Sequence, residues 1–173
     1  ADVVYKNAKI IIAHNAHPVI GASGLTQDEI AILKDLCDQK SLGGLIVPNF
    51  SIAVLLMIHF AKIAARFMSK AEIIEMHHVQ KVDAPSGTAI KTAQEISKIT
   101  KDKLIPIHSL RLPGILAKQE VIFGSLGETL TLTHACIDRQ AFMPGLLLAC
   151  EKVLSLKTLQ YGLEHVIEGF VKM

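Results

Sequence analysis

Tryptophan is missing from this chain, and aromatic residues of any kind are scarce: two tyrosines and six phenylalanines in 173 residues. Any core must therefore be aliphatic, and with half of the residues hydrophobic there is enough material for one. Cysteine is equally sparse. Cys37, Cys136 and Cys150 lie far apart with no CxxC spacing, which leaves a structural zinc site without support. An odd, thin set of thiols points to a reducing compartment, and a cytoplasmic location is expected. Charge of one sign is also lacking. Eighteen basic and sixteen acidic residues leave +2, and they are scattered, so no basic face for nucleic acid is expected. No long apolar run exists. The longest, Ile52–Ile58, is far too short to cross a bilayer and is soon followed by His59 and Lys62. The opening Ala-Asp-Val-Val-Tyr has neither an initiator methionine nor a signal-peptide pattern, and it reads as the interior of a longer protein.

What is present has a rhythm. Apolar and small residues over 3–14 recur at helical spacing, with Lys6 and Lys9 turned outward. His17-Pro-Val-Ile-Gly21 reads as a short buried strand that runs into a glycine loop ending at Gly24. Thr26 and Glu29 have the spacing of a capping box, which predicts a helix over 27–39. Gly43–Val47 is a second short strand stopped by Pro48. Helix, strand, helix, strand with short links is the pattern of a parallel sheet covered by helices. A long apolar helix is predicted over 51–68, and the parallel rhythm ends in it. Beyond it the spacing predicts a strand at 72–76, a polar loop and a helix over 87–99. Strands at 105–111, 119–124 and 129–134 follow, the last two joined by a turn at Gly124-Ser-Leu-Gly127. Consecutive strands imply an antiparallel or mixed sheet whose second face needs a helix or another subunit as cover. A closing helix over 142–156 has Pro144 near its first turn, and 159–173 reads as weakly helical.

The unusual stretch is Glu75-Met-His-His-Val-Gln-Lys-Val-Asp-Ala-Pro-Ser-Gly-Thr-Ala89. Histidine is the side chain whose ordinary pKa lies nearest neutrality, so it can give or take a proton. A lysine supplies positive charge or a proton. Gly87 and Thr88, opening a helix, offer backbone N–H groups and a hydroxyl at the end that favours anions. Singly, each element is an ordinary surface histidine, solvated lysine or helix cap. Together in one polar loop they describe a pocket for a small carboxylated substrate that must be protonated. A metal-dependent hydrolase is not supported by the eight histidines. His77 and His78, adjacent on a strand, alternate faces and would not readily chelate one ion.

This stretch resembles the signature of the 4-hydroxy-tetrahydrodipicolinate (dihydrodipicolinate) reductase family, E-x-H-H-x-x-K-x-D-A-P-S-G-T-A, at every fixed position. Val19-Ile-Gly-Ala-Ser-Gly-Leu-Thr26 resembles the family's V-I-G-T-T-G-x-T loop, and Val47-Pro-Asn-Phe-Ser51 its A-P-N-F-S segment. His108–Arg111, Gly114, Phe123-Gly124, His134, Arg139–Phe142 and Gly145 fit its later strands and the end of its substrate domain.

The resemblance implies an α/β protein. A partial Rossmann-type nucleotide-binding domain would occupy 1–50, and an α+β substrate-binding and oligomerisation domain with a mixed sheet 51–142. A helical segment, 143–173, would return to the first domain. It implies NADH- or NADPH-dependent reduction of 4-hydroxy-tetrahydrodipicolinate in the diaminopimelate route to lysine. His77 would be the acid/base residue and Lys81 the proton donor. His78, Gly87 and Thr88 would hold the substrate, and Gly21, Ala22, Ser23, Val47, Pro48, Asn49 and Phe50 would contact the cofactor. No metal is implied, pyridine-2,6-dicarboxylate should mimic the substrate, and a homotetramer formed through substrate-domain sheets is expected. Two departures stand out. Ala22-Ser23 replaces two threonines, which removes one hydroxyl and two methyls. The family's initial strand and glycine-rich turn are not in the chain, which is expected to be an N-terminally truncated form that binds cofactor poorly. The competing expectation is a non-catalytic module that binds dicarboxylates or serves assembly.

Overall fold

The computed structural model describes residues 2–22, 24–68, 70–100, 102 and 104–167. They form two compact units, one made of the residues up to Ile52 together with those from Phe142, the other of Ala53–Ala141. Among the described residues no helix is long and apolar enough to cross a membrane.

In the first unit helix α1 (Asp2–Ala13) leads into strand β1 (Val19–Ile20), helix α2 (Gln27–Gln39) and strand β2 (Gly44–Ile46). The capping box forms as its spacing predicts. Thr26 Oγ1 accepts from Glu29 N, and Glu29 Oε2 accepts from Thr26 N at 2.8 Å. Ala8 and Ile12 of α1, Leu33 and Cys37 of α2, and Ile20 and Ile46 of the strands share one aliphatic core. Burial there pushes the Cys37 thiol up to about 11, with Asp38 adding to the effect, so it is an inert packing group.

The tail differs from its weak helical pattern. Leu159–Tyr161 is a strand, β7, parallel to β2, in the order β1-β2-β7. Gly44 makes room for it: a Cβ there would meet Leu159 Cδ1 at 2.5 Å and Pro18 Cγ at 3.0 Å, so a larger residue would make the Leu159 side chain shift. A 3-10 turn over Leu163–Val166 follows. Residues 168–173, part of the same expectation, lie outside the described residues.

The closing helix, α5 (Met143–Lys152), is shorter than expected. It is flanked by 3-10 turns at Arg139–Phe142 and Val153–Ser155. Its Gly145 packs against the 47–51 segment so tightly that a Cβ would lie 1.9 Å from the Phe50 carbonyl oxygen. Gly145→Ala is therefore expected to cost about 1–3 kcal/mol, the usual range for overpacking. A chemical-denaturation midpoint equal to that of the parent would refute this.

In the second unit, helix α3 (Ile52–Ala64) and helix α4 (Gly87–Ser97) cover one face of a four-stranded sheet. Its strands are β3 (Lys70–His77), β4 (Ile107–Arg111), β5 (Ala117–Ser125) and β6 (Glu128–Cys136), in the order β4-β3-β5-β6. β3 and β4 are parallel and the other pairs antiparallel, so the sheet is mixed. The hairpin turn is tighter than its glycines mark out: Ser125 already pairs with Glu128, and Gly127 supplies the φ of +80°. α3 ends short of the expected residue 68, because Phe67 N turns back to Ala64 O and closes a tight final turn.

Alternation decides which side chains face the helices. Ala71 and Ile73 of β3 and Val121 and Phe123 of β5 pack under Val54, Met57, Ile58 and Ala61 of α3 and Ala89 and Ile96 of α4. By the same alternation Glu75 and His77 lie on the helix-covered face. Ile74, Met76, Leu110 and Ile122 lie on the other, with Glu72, Glu120 and the threonines of β6. A depression of about 260 Å³ on that other face is lined by Lys70, Glu72, Ile122 and Gly124, at the end of β3 remote from His77.

Candidate active site

Glu75 is two residues before His77 on one strand, so both side chains emerge on the same face. Glu75 is completely buried. Its Oε2 lies 2.5 Å from His77 Nδ1. Arg111, at the end of the neighbouring parallel strand, donates through Nη2 to Glu75 Oε1 at 2.9 Å and through Nη1 to Oε2 at 3.2 Å. Burial pushes the Glu75 carboxyl up. Hydrogen bonds from Arg111, Ser109 and His77, with the Arg111 charge, outweigh this and hold it below the ordinary carboxylate range. The acceptor is thus a carboxylate, so Nδ1 of His77 carries the proton that joins them. Nε2 is then left to exchange protons. For His77, burial lowers the pKa, the Glu75 hydrogen bond and charge raise it, and Lys81 and Arg111 lower it again. The net result is below 6.5, a neutral imidazole at pH 7.

The loop after β3 brings Lys81 into the same electrostatic neighbourhood. Lys81 is largely covered, and its Nζ donates to both carboxylate oxygens of Asp83, at 2.7 and 2.8 Å. The Lys81 contact holds the Asp83 carboxyl low. His78 is half-buried, with Nδ1 3.0 Å from Gln80 Oε1. The loop closes through a cis Ala84–Pro85 peptide into Ser86, which caps α4 by accepting from Ala89 N. Gly87 and Thr88 open that helix, and its first turn holds no acidic side chain. A chain of hydrogen bonds ties this turn to the sheet. Gln119 Nε2 donates to Thr92 Oγ1 at 2.9 Å, and Thr92 Oγ1 donates to the Thr88 carbonyl at 2.8 Å. Gln119 is the register partner of Glu75, so the helix start is anchored to the strand pair that carries Glu75.

In the first unit, Val47 N donates to Ile20 O, so the loops after β1 and β2 leave from one edge of the parallel sheet, at the carboxyl ends of its strands. That edge is where parallel sheets bind ligands. Gly21 and Ala22 are exposed on the first loop, and Gly21 lies so close to the Phe50 ring that a Cβ would meet it at 2.7 Å. Val47 is buried, Pro48 exposed, and Asn49 Oδ1 accepts from Ser51 N at 2.8 Å, which shapes the second loop. Ser23 lies outside the described residues.

A family model described as dihydrodipicolinate reductase, C-terminus, matches residues 53–167. The chain belongs to the dihydrodipicolinate reductase family. It is 53% identical over 186 residues to the 4-hydroxy-tetrahydrodipicolinate reductase of Legionella pneumophila (strain Paris), an alignment covering 96% of this chain and 76% of that protein. Against the enzyme of the same name from Coxiella burnetii (strain RSA 493 / Nine Mile phase I) the identity is 50%, covering 95% and 75%. A solved structure of dipicolinate-bound dihydrodipicolinate reductase from Paenisporosarcina sp. TG-14 superposes with a TM-score of 0.84 at 40% identity, over 95% of this chain and 69% of that one. The reductase resemblance read from Glu75–Ala89 is thus the family of the whole chain.

Sequence reasoning gave no role to three residues of this candidate site. Glu75 was visible as the first letter of the motif, and its spacing of two from His77 was the available signal. Asp83 stands two residues from Lys81 and could have been paired with it. Arg111 carried no local signal, because only the β3–β4 register places it against Glu75.

Proposed function

We propose that this chain carries the substrate site, and part of the cofactor site, of an NADH- or NADPH-dependent 4-hydroxy-tetrahydrodipicolinate reductase in the diaminopimelate route to lysine. The observation that carries this is His77, joined through Nδ1 to the buried Glu75 carboxylate, beside Lys81 and a helix start. His77 exchanges a proton at Nε2, and Lys81 donates one when it leaves Asp83. His78, Gly87 and Thr88 hold a carboxylated ring, the last two through the helix N-terminus, which favours anions.

The exposed Gly21–Ala22 loop, with Val47, Pro48, Asn49 and Phe50, leaves the carboxyl ends of the parallel strands and would contact the nicotinamide cofactor, as would Ser23. That cofactor supplies hydride when bound. For assembly, the sheet face bearing Ile74, Met76, Leu110 and Ile122 is the surface through which a homotetramer would form. Its row of partly exposed apolar side chains supports this.

Calorimetry with pyridine-2,6-dicarboxylate tests the substrate site. Saturable binding is expected, weakened about 10–100-fold by His78→Ala or Thr88→Val, the loss of one hydrogen bond to a charged group. Unweakened binding in both variants would sink the assignment.

A further inference from the structure

Arg111 is saturated. Nε donates to the Lys81 carbonyl at 3.3 Å, Nη1 to Glu75 Oε2 and to the Leu110 carbonyl, and Nη2 to Glu75 Oε1 and to the Asp83 carbonyl at 2.7 Å. These contacts use all five N–H groups of a guanidinium. Two go to the carboxylate that orients His77. Two more go to the backbone of Lys81 and Asp83, the residue pair whose side chains meet. The strand adds a further tie, because Leu112 N donates to the His77 carbonyl at 3.0 Å.

We infer that Arg111, acting with Glu75, is the positioning residue that sets His77 and Lys81 as one unit, fixing the imidazole through the carboxylate and the lysine through the loop backbone. The inference rests on the reading of His77 and Lys81 as the proton-handling pair.

Stability alone does not account for this arrangement. A buried ion pair roughly breaks even against apolar residues of the same volume, so packing β3 on β4 does not require one. Nor would a lysine replace it. An ammonium can neutralise Glu75, but it has no planar fork to reach a carboxylate and two loop carbonyls together. The charged groups facing His77 are Glu75 on its own strand, Arg111 on β4, and Lys81 and Asp83 on the loop. On the β5 side its register partner is Ala117, which carries no charge. Glu75 raises the His77 pKa and Arg111 lowers it, so the two members of the pair act on it with opposite sign.

The test uses Glu75→Gln, Arg111→Gln and Arg111→Lys in the reductase, with His77→Gln as reference. Steady-state kinetics are combined with NMR titration of isotope-labelled histidine. Arg111→Lys should lower kcat on the order of 10²-fold, the scale of a misplaced catalytic group, with KM nearly unchanged. The His77 titration should move down in Glu75→Gln and up in Arg111→Gln; a merely structural role would not give opposite shifts. Should Arg111→Gln fail to fold, the kcat and KM of Arg111→Lys decide. If His77→Gln loses turnover while Arg111→Lys keeps it, or if both titration shifts run the same way, the positioning role is wrong. If His77→Gln keeps full turnover, the underlying reading falls and takes this inference with it.

Discussion

His77→Gln is expected to lower turnover by ~10²–10⁴-fold, the usual contribution of a positioned acid or base, while leaving the protein folded. Glutamine has a comparable reach and can donate an amide N–H to Glu75, so the buried carboxylate keeps a partner. What it lacks is a nitrogen that takes up and releases a proton near neutrality. Lys81→Ala should act similarly on turnover and cost little stability, because Asp83 is 64% exposed in its side chain and water replaces the lost partner. Steady-state rates beside urea midpoints check both. Full activity in the two variants would remove His77 and Lys81 from the mechanism. A collapse of both midpoints would instead make them packing groups.

Arg111→Met should do the reverse and destabilise the second unit by about 3–5 kcal/mol at neutral pH, the cost of leaving a buried charge unpaired. Glu75 would keep its carboxylate with no cation, and the carbonyls of Lys81, Asp83 and Leu110 would lose their donor. The pH dependence identifies the cause. In the parent, the folded Glu75 pKa lies below 4.5, so its contribution is present above that value and is lost as pH falls through the folded one. Without Arg111, burial raises the carboxyl instead, and protonation relieves the variant. The gap between variant and parent should therefore be widest near pH 7.5 and shrink toward pH 4.5. A gap below 1 kcal/mol at pH 7.5, or one independent of pH, would show that Arg111 is not what holds Glu75 charged. Replacing both partners, as in Glu75→Leu with Arg111→Met, should recover most of the loss.

How much was legible in the sequence depended on how far apart the interacting residues lie. The Thr26–Glu29 box fixed the start of α2 because capping is a three-residue matter. The Glu75–Ala89 motif placed the proposed proton chemistry because its strand end, loop and helix start are contiguous. β7 was misread because three residues display no period, and its partner, Gly44, is remote in the chain. Arg111 was named as part of a strand but given no role, for the same reason. Its meaning comes from standing opposite His77 in a parallel register, which alternation cannot reveal. Gly21 and Phe50 were both named for the cofactor, but that they meet was visible only in three dimensions.

The seating of Leu159 beside Gly44 has a consequence for how the chain is made. β2 cannot complete its sheet until β7 leaves the ribosome, and the whole second unit is synthesised between them. At about 5–20 residues per second, that wait is on the order of ten seconds. Throughout it, Gly44–Ile46 presents one unpaired backbone edge to the cell. The second unit, whose strands all lie between Lys70 and Cys136, has no such wait. It should mature first, and nascent chains arrested before Leu159 should show a protected second unit beside a protease-sensitive first one.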